Sequence, residues 1–190
     1  METVSILGIP IACLTMAQVL AWVEKRIEGG KPAHVVTANA EIIYRAWREP
    51  HLAQLLRQAD LITADGSGVV WASQKLNSPL PERVTGVDLT QHLLALAAEK
   101  GWRVYFLGAK PEVVKNAVLR TLSKYPRLQI SGYQHGYFAK KEIEQVVSNI
   151  NKVKPHLLFV ALGAPKQDYF HSGESSSISY FRSDRGRRHL

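Results

Sequence analysis

One cysteine in 190 residues, Cys13, excludes an internal disulfide framework. With no cluster of cysteines and histidines there is no structural zinc signature either. No stretch approaches the roughly 18 consecutive apolar residues of a membrane-spanning helix. Met1-Glu2-Thr3 lacks the basic start and apolar run of a signal peptide, so a protein of a reducing compartment is expected. A Gly-x-Gly-x-x-Gly fingerprint is missing: Gly66-Ser67-Gly68 begins one, but Trp71 stands where the third glycine belongs. A Walker loop, a nucleophile elbow and a Cys/His pair are missing as well.

What the chain has is positive charge and a core. It carries 24 Lys+Arg against 16 Asp+Glu, a formal charge of +8, and is 46% hydrophobic. Such a length buries one sizeable core and fits one compact domain. The charge points to anionic partners: nucleic acid, a phosphorylated small molecule or an acidic membrane surface. The basic residues are spread along the chain without a recognition motif, so nucleic acid is not expected as a partner.

Strand-like runs alternate with helical patterns. Val4 to Ile9 is a short apolar run. Thr15 with Gln18 makes a capping box ahead of Met16, Val19, Leu20, Val23 and Ile27, and Gly29-Gly30 ends that helix. Ala33 to Thr37 reads as a buried strand, Glu41 to Gln58 as helix with a break at Pro50, and Leu61 to Thr63 as strand. A short helix follows from Val69 to Leu76, then a proline-flanked loop, Ser78 to Thr85. Val87 to Lys100 is helix closed by Gly101, and Trp102 to Leu107 is strand. A helix opens at Pro111, Leu128 to Ser131 is a weak strand, Lys140 to Asn151 is helix and His156 to Leu162 is strand. This alternation predicts an α/β fold: a Rossmann-like parallel sheet with helices on both faces. Ligands of such sheets bind beyond the carboxyl ends of the strands.

The groups able to carry chemistry fall at those ends. Thr37 and Asn39 can hydrogen-bond a sugar or base, though Asn39 also suits a helix cap. Asp65, between a strand tip and glycines that admit a ligand, suits a general base; a tight turn capped by Asp is the competing reading. Arg83 can clamp a diphosphate or stand as a solvated surface cation. Gly108 closes a strand, and His135 lies in a loop as ligand contact or turn residue. Gly163 allows close backbone approach, with Lys166 and Gln167 following. No Asp-x-Asp occurs, which argues against a metal-bridged nucleotide-sugar site.

In order, the chain reads Gly8-Ile9-Pro10-Ile11, Thr37-Ala38-Asn39-Ala40-Glu41, Ala64-Asp65-Gly66-Ser67-Gly68 and Pro79-Leu80-Pro81-Glu82-Arg83-Val84-Thr85-Gly86. Tyr105-Phe106-Leu107-Gly108, His135-Gly136-Tyr137-Phe138 and Leu158 through Gln167 follow. Together these segments resemble the WecG/TagA/CpsF glycosyltransferases of bacterial surface-polymer assembly, from about residue 4 to 167. The resemblance implies inverting transfer of N-acetylmannosamine from UDP-N-acetylmannosamine to a polyprenyl-diphosphate-linked N-acetylglucosamine, as in teichoic acid synthesis. It implies Asp65 as catalytic base, Thr37 and Asn39 in the pocket beside it, and Arg83 and Gln167 on the nucleotide diphosphate and sugar. Gly108, His135, Gly163 and Lys166 complete the expected substrate contacts. No metal or other cofactor is implied. The expected partners are the UDP-sugar, the lipid-linked acceptor, an anionic membrane surface and a second copy of the chain. The implied location is cytoplasmic, peripheral on the inner face of the bacterial membrane.

After Gln167 the resemblance stops. Residues 168–190 hold six serines and four arginines, with Ile178 and Leu190 as the remaining aliphatics. They read as an unrelated, disordered tail on a glycosyltransferase domain, 1–167, that is incomplete at its C-terminal end. The alternatives are a family member with another hexose donor and a truncated nucleotide-binding protein without catalysis. Four arginines against three acids in the tail leave seven of the eight positive charges to residues 1–167.

Overall fold

The computed structural model describes residues 1–162 and 180–182. It begins with an antiparallel hairpin, β1 (Thr3–Ile6) and β2 (Ile9–Ala12), where the sequence suggested a single run. Leu7 and Gly8 both take positive φ, 48° and 80°, as a two-residue hairpin turn requires. The hairpin's inward residues Val4, Ile6, Ile9 and Ile11 are buried, and Arg57 Nε pins it through the Gly8 carbonyl at 3.0 Å.

The second sheet holds β3 (His34–Ala38), β4 (Leu61–Ala64), β5 (Arg103–Gly108), β6 (Gln129–Gln134), β7 (Leu157–Ala161) and β8 (Tyr180–Arg182). Its spatial order is β4-β3-β8-β7-β5-β6, with every pairing parallel. The Rossmann-like α/β reading therefore holds. Three residues of the segment expected to be a structureless tail supply β8, between β3 and β7, where both neighbours offer backbone groups to pair. The other residues of 168–190 lie outside the described set.

Helices α1 (Met16–Glu28), α2 (Ala40–Arg48), α3 (Pro50–Arg57), α4 (Ser67–Lys75), α5 (Gly86–Lys100), α6 (Pro111–Lys124) and α7 (Ile143–Val153) cover the sheet. The capping box at Thr15 and Gln18 forms as the sequence indicates. Pro50 divides α2 from α3, since proline enters a helix only in its first turn. Gly101 closes α5 in the left-handed region, φ 67°.

Alternating strand residues divide between the two faces. Val36, Ala38, Ile62 and Ala64 pack with the hairpin, α2, α3 and α4. Tyr105, Leu107, Leu158 and Val160 pack with α7 on the same side, while Val35, Leu61, Val104, Leu157 and Phe159 face α1 and α5. Both faces are thus apolar and covered, as a parallel sheet demands.

At the amino edge, the Arg103 amide donates to His156 Nδ1 at 2.9 Å and the His156 amide donates to the Arg103 carbonyl at 2.8 Å. Arg103 also reaches the Lys154 carbonyl through Nη2 at 2.7 Å. Desolvation, then the nearby Arg103 charge, lowers the His156 pKa below its ordinary value. The unfolded chain therefore binds the proton more readily, and stability falls as pH drops through about 6.5, the range of an unperturbed histidine. Urea denaturation at neutral and mildly acidic pH should show that loss, and His156→Gln should reduce its slope. Ile11 is fully buried under the sheet. Ile11→Ala should cost about 2–5 kcal/mol in the same measurement if the hairpin is part of the core.

Candidate active site

The carboxyl ends of β3 and β4 bring the first group together. Parallel register pairs Thr37 with Thr63 and Ala38 with Ala64, so Asn39 and Asp65 leave the sheet side by side. The Asp65 amide donates to the Ala38 carbonyl at 2.9 Å, which fixes this exit. Gly66 has φ 111°, a conformation that glycine accepts and that turns the chain into α4. Thr37 is buried. The Asn39 side chain accepts from the Ile42 amide at 2.9 Å and caps α2. Its cap role is therefore realised, with half-buried placement at the same edge.

A loop closes over this corner. The Leu80 amide donates to Ser73 Oγ at 3.0 Å, and Ser73 Oγ donates to the Val70 carbonyl at 2.6 Å. Glu82 accepts from the Met16 amide at 2.8 Å, and the Val84 carbonyl accepts from Thr63 Oγ1 at 3.3 Å. Arg83, exposed, lies between these two anchors. Thr85 caps α5 by accepting from the Asp88 amide. The Gly86 amide then donates to Asp65 Oδ2 at 3.1 Å. Asp65 thus sits half-buried at the N-terminal end of α5, where the helix dipole favours negative charge.

The second group lies at the ends of β5, β6 and β7. Gly108 has φ 129°, and a Cβ there would stand 2.3 Å from the Ala161 carbonyl oxygen. The neighbouring Ala109 amide donates to that same oxygen at 3.0 Å, and the Gly136 amide donates to the Ala109 carbonyl at 2.9 Å. His135 is half-buried, and its Nδ1 accepts from the Tyr137 amide at 3.2 Å, the turn role weighed for it. Gly163, Lys166 and Gln167 lie outside the described residues.

Beside this edge opens a cavity of about 270 Å³. Phe106 and Phe159, ring centroids 5.5 Å apart, are among its lining residues, as are Gly108, Thr90, Gln91 and Val113. Thr90, Gln91 and Val113 escaped sequence reading, because helical periodicity alone assigns such positions to the core or the surface. Among the described residues, no group of three or more His, Cys, Asp or Glu side chains is placed to hold a metal ion.

The geometry offers a carboxylate held at a strand tip, an exposed arginine on an anchored loop, and an apolar cavity with aromatic walls at the same sheet edge. Residues 4–179 match the family model described as Glycosyl transferase WecG/TagA/CpsF family. Over 144 residues, 76% of this chain, it is 38% identical to the N-acetylglucosaminyldiphosphoundecaprenol N-acetyl-beta-D-mannosaminyltransferase of Bacillus spizizenii. Proteins of the same name from Bacillus subtilis and Staphylococcus aureus are 33% and 35% identical over 90% and 87% of the chain. The aligned stretches span 55%, 66% and 65% of those three relatives.

Replacing Gly108 tests the second group. Gly108→Ala should destabilise the fold by more than about 1 kcal/mol, because the added carbon meets the Ala161 carbonyl in a strained backbone region. Thermal unfolding checks it.

Proposed function

The chain belongs to the WecG/TagA/CpsF glycosyl transferase family, and from that premise we propose that it transfers N-acetylmannosamine from a UDP donor to a lipid-diphosphate-linked N-acetylglucosamine. The placement of Asp65 at the carboxyl edge of the sheet, with Gly86 fixing one of its oxygens, carries this reading. In the reaction the acceptor hydroxyl oxygen bonds to the anomeric carbon of the donor sugar. The bond from that carbon to the diphosphate oxygen breaks, UDP leaves with its electron pair, and the hydroxyl proton passes to the Asp65 carboxylate. One displacement inverts the anomeric centre and needs a single base. Thr37 and Asn39 border the reacting sugar.

Arg83 meets the diphosphate charge in bidentate fashion, with backbone amides of the edge, and no metal has a role in this reading. The donor nucleoside takes the aromatic-walled cavity beside Gly108, and His135, in the turn after β6, is assigned to the same ligand by its place in the family motif. Gly163, Lys166 and Gln167 are assigned to the sugar and diphosphate by their place in the family motif. The acceptor places the work at an anionic membrane face, and no helix among the described residues is long and apolar enough to cross a membrane.

An assay with UDP-N-acetylmannosamine and a lipid-linked N-acetylglucosamine acceptor tests this reading. Asp65→Asn should lower kcat by about 10²–10⁴-fold, the usual contribution of a positioned base, with UDP binding retained in calorimetry. Full activity in that variant would remove Asp65 from the role. UDP binding by the unaltered chain without any turnover would assign a nucleotide-binding protein instead.

A further inference from the structure

We propose that the face shared by α2 and α4 is a membrane-docking surface, seated in the headgroup layer of an anionic bilayer so that the Asp65 edge meets its acceptor there. The proposal rests on the lipid-linked acceptor assigned above and locates where the chain would meet that lipid.

Three large aromatic side chains stand out on these helices: Tyr44, Trp47 and Trp71 are 53%, 56% and 61% exposed. Tyr44 and Trp47 lie together, ring centroids 5.9 Å apart. Each indole has a cation over it. The Arg48 guanidinium lies 5.9 Å from the Trp47 ring and the Lys75 ammonium 5.7 Å from the Trp71 ring. Amphipathic rings flanked by long basic side chains suit the membrane interface: the ring sits at headgroup depth while the cation reaches lipid phosphate.

The two helices form one face near the site. A Cβ at Gly68 would lie 3.3 Å from the Ala40 Cβ, so their first turns touch. Tyr44 is four residues beyond Ala40 and Trp71 three beyond Gly68, each on the same side of its helix as the contact residue. At the helical rise this is about 4.5–6 Å along each axis. Both helices start directly from the strand ends that carry Asn39 and Asp65.

Charge selects the occupant. Of the acids on α2 and its end, Glu49 is paired with Arg45 at 3.2 Å, and Glu41 stands at the first turn. Arg48 and Lys75 remain on the aromatic residues. A two-fold pairing of this face with a second copy would bring the same cations together, whereas an anionic headgroup layer complements them.

Co-sedimentation of the full chain with vesicles of equimolar phosphatidylglycerol and phosphatidylcholine tests the proposal, with pure phosphatidylcholine vesicles as the comparison. The chain should bind the anionic vesicles. The double variant W47S/W71S should bind them about tenfold or more weakly, because interfacial binding scales with buried apolar area. R48E/K75E should lose about fivefold or more for each cation removed, and with it the preference for anionic lipid. Both variants should keep sugar transfer to a short-chain, water-soluble acceptor and lose transfer to a vesicle-embedded one. Unchanged vesicle binding in both variants would overturn the proposal. So would a change from dimer to monomer with vesicle binding intact, which would make this face an interface between copies. A chain that transfers no sugar at all would defeat the assigned activity, while the vesicle binding would still decide the docking face.

Discussion

The hydrogen bond from the Gly86 amide to Asp65 Oδ2 joins two parts of the chain 21 residues apart and fixes the candidate site around it. On one side, Asp65 is already held by β3 through the Ala38 carbonyl. On the other, Gly86 opens α5 immediately after the loop that carries Arg83. The loop could not present Gly86 there without its own anchors. Leu80 on Ser73, Glu82 on the Met16 amide and Thr63 on the Val84 carbonyl supply them. Among the described residues the other Asp65 oxygen takes no hydrogen bond, so the carboxylate is oriented by one oxygen and open at the other.

The strand order sets what this corner can work with. β4 and β3 lie on one side of β8, and β7, β5 and β6 on the other. From β4 to β7, the nearer of the strands lining the cavity, there are three strand spacings, about 14 Å in all, and α5 bridges them with Gly86 on Asp65 and Thr90 on the cavity wall. Asp65 and the aromatic-walled cavity therefore stand at separate places along one edge. The edge also holds the crossover point of the sheet, the usual ligand crevice in this architecture.

Much of this was legible in the residues. Thr15 with Gln18, Pro50, Gly101 and Pro111 act through local backbone chemistry, and the helix boundaries follow them to within a residue or two. The edge positions of Asp65, Gly108 and His135 follow from strand ends in a parallel sheet. The hairpin was not legible, because Leu7 adopts positive φ without being glycine or asparagine, the usual turn signals. Nor was β8. Three residues in a serine- and arginine-rich segment show no apolar run, and their pairing comes from the strands on either side rather than from their own pattern. Asn39 shows the limit differently: its residue type suits both a helix cap and a ligand contact, and its hydrogen bond to Ile42 shows that the cap is made.

Helix α5 connects the two halves of the edge. Its first amide orients Asp65, and one turn later Thr90 and Gln91 line the cavity beside Gly108. Thr90 Oγ1 donates to the Gly86 carbonyl at 2.7 Å, tying the cavity wall to the residue that holds Asp65. Leu89, Leu93 and Ala97 are buried on the sheet, so the helix is seated as a rigid element. A shift of its N-terminus would move the Asp65 partner and the cavity wall together. The loop anchors, the cap at Thr85 and the buried stripe of α5 all act against that shift. The separation between Asp65 and the cavity is therefore set by one helix rather than by two independently placed loops.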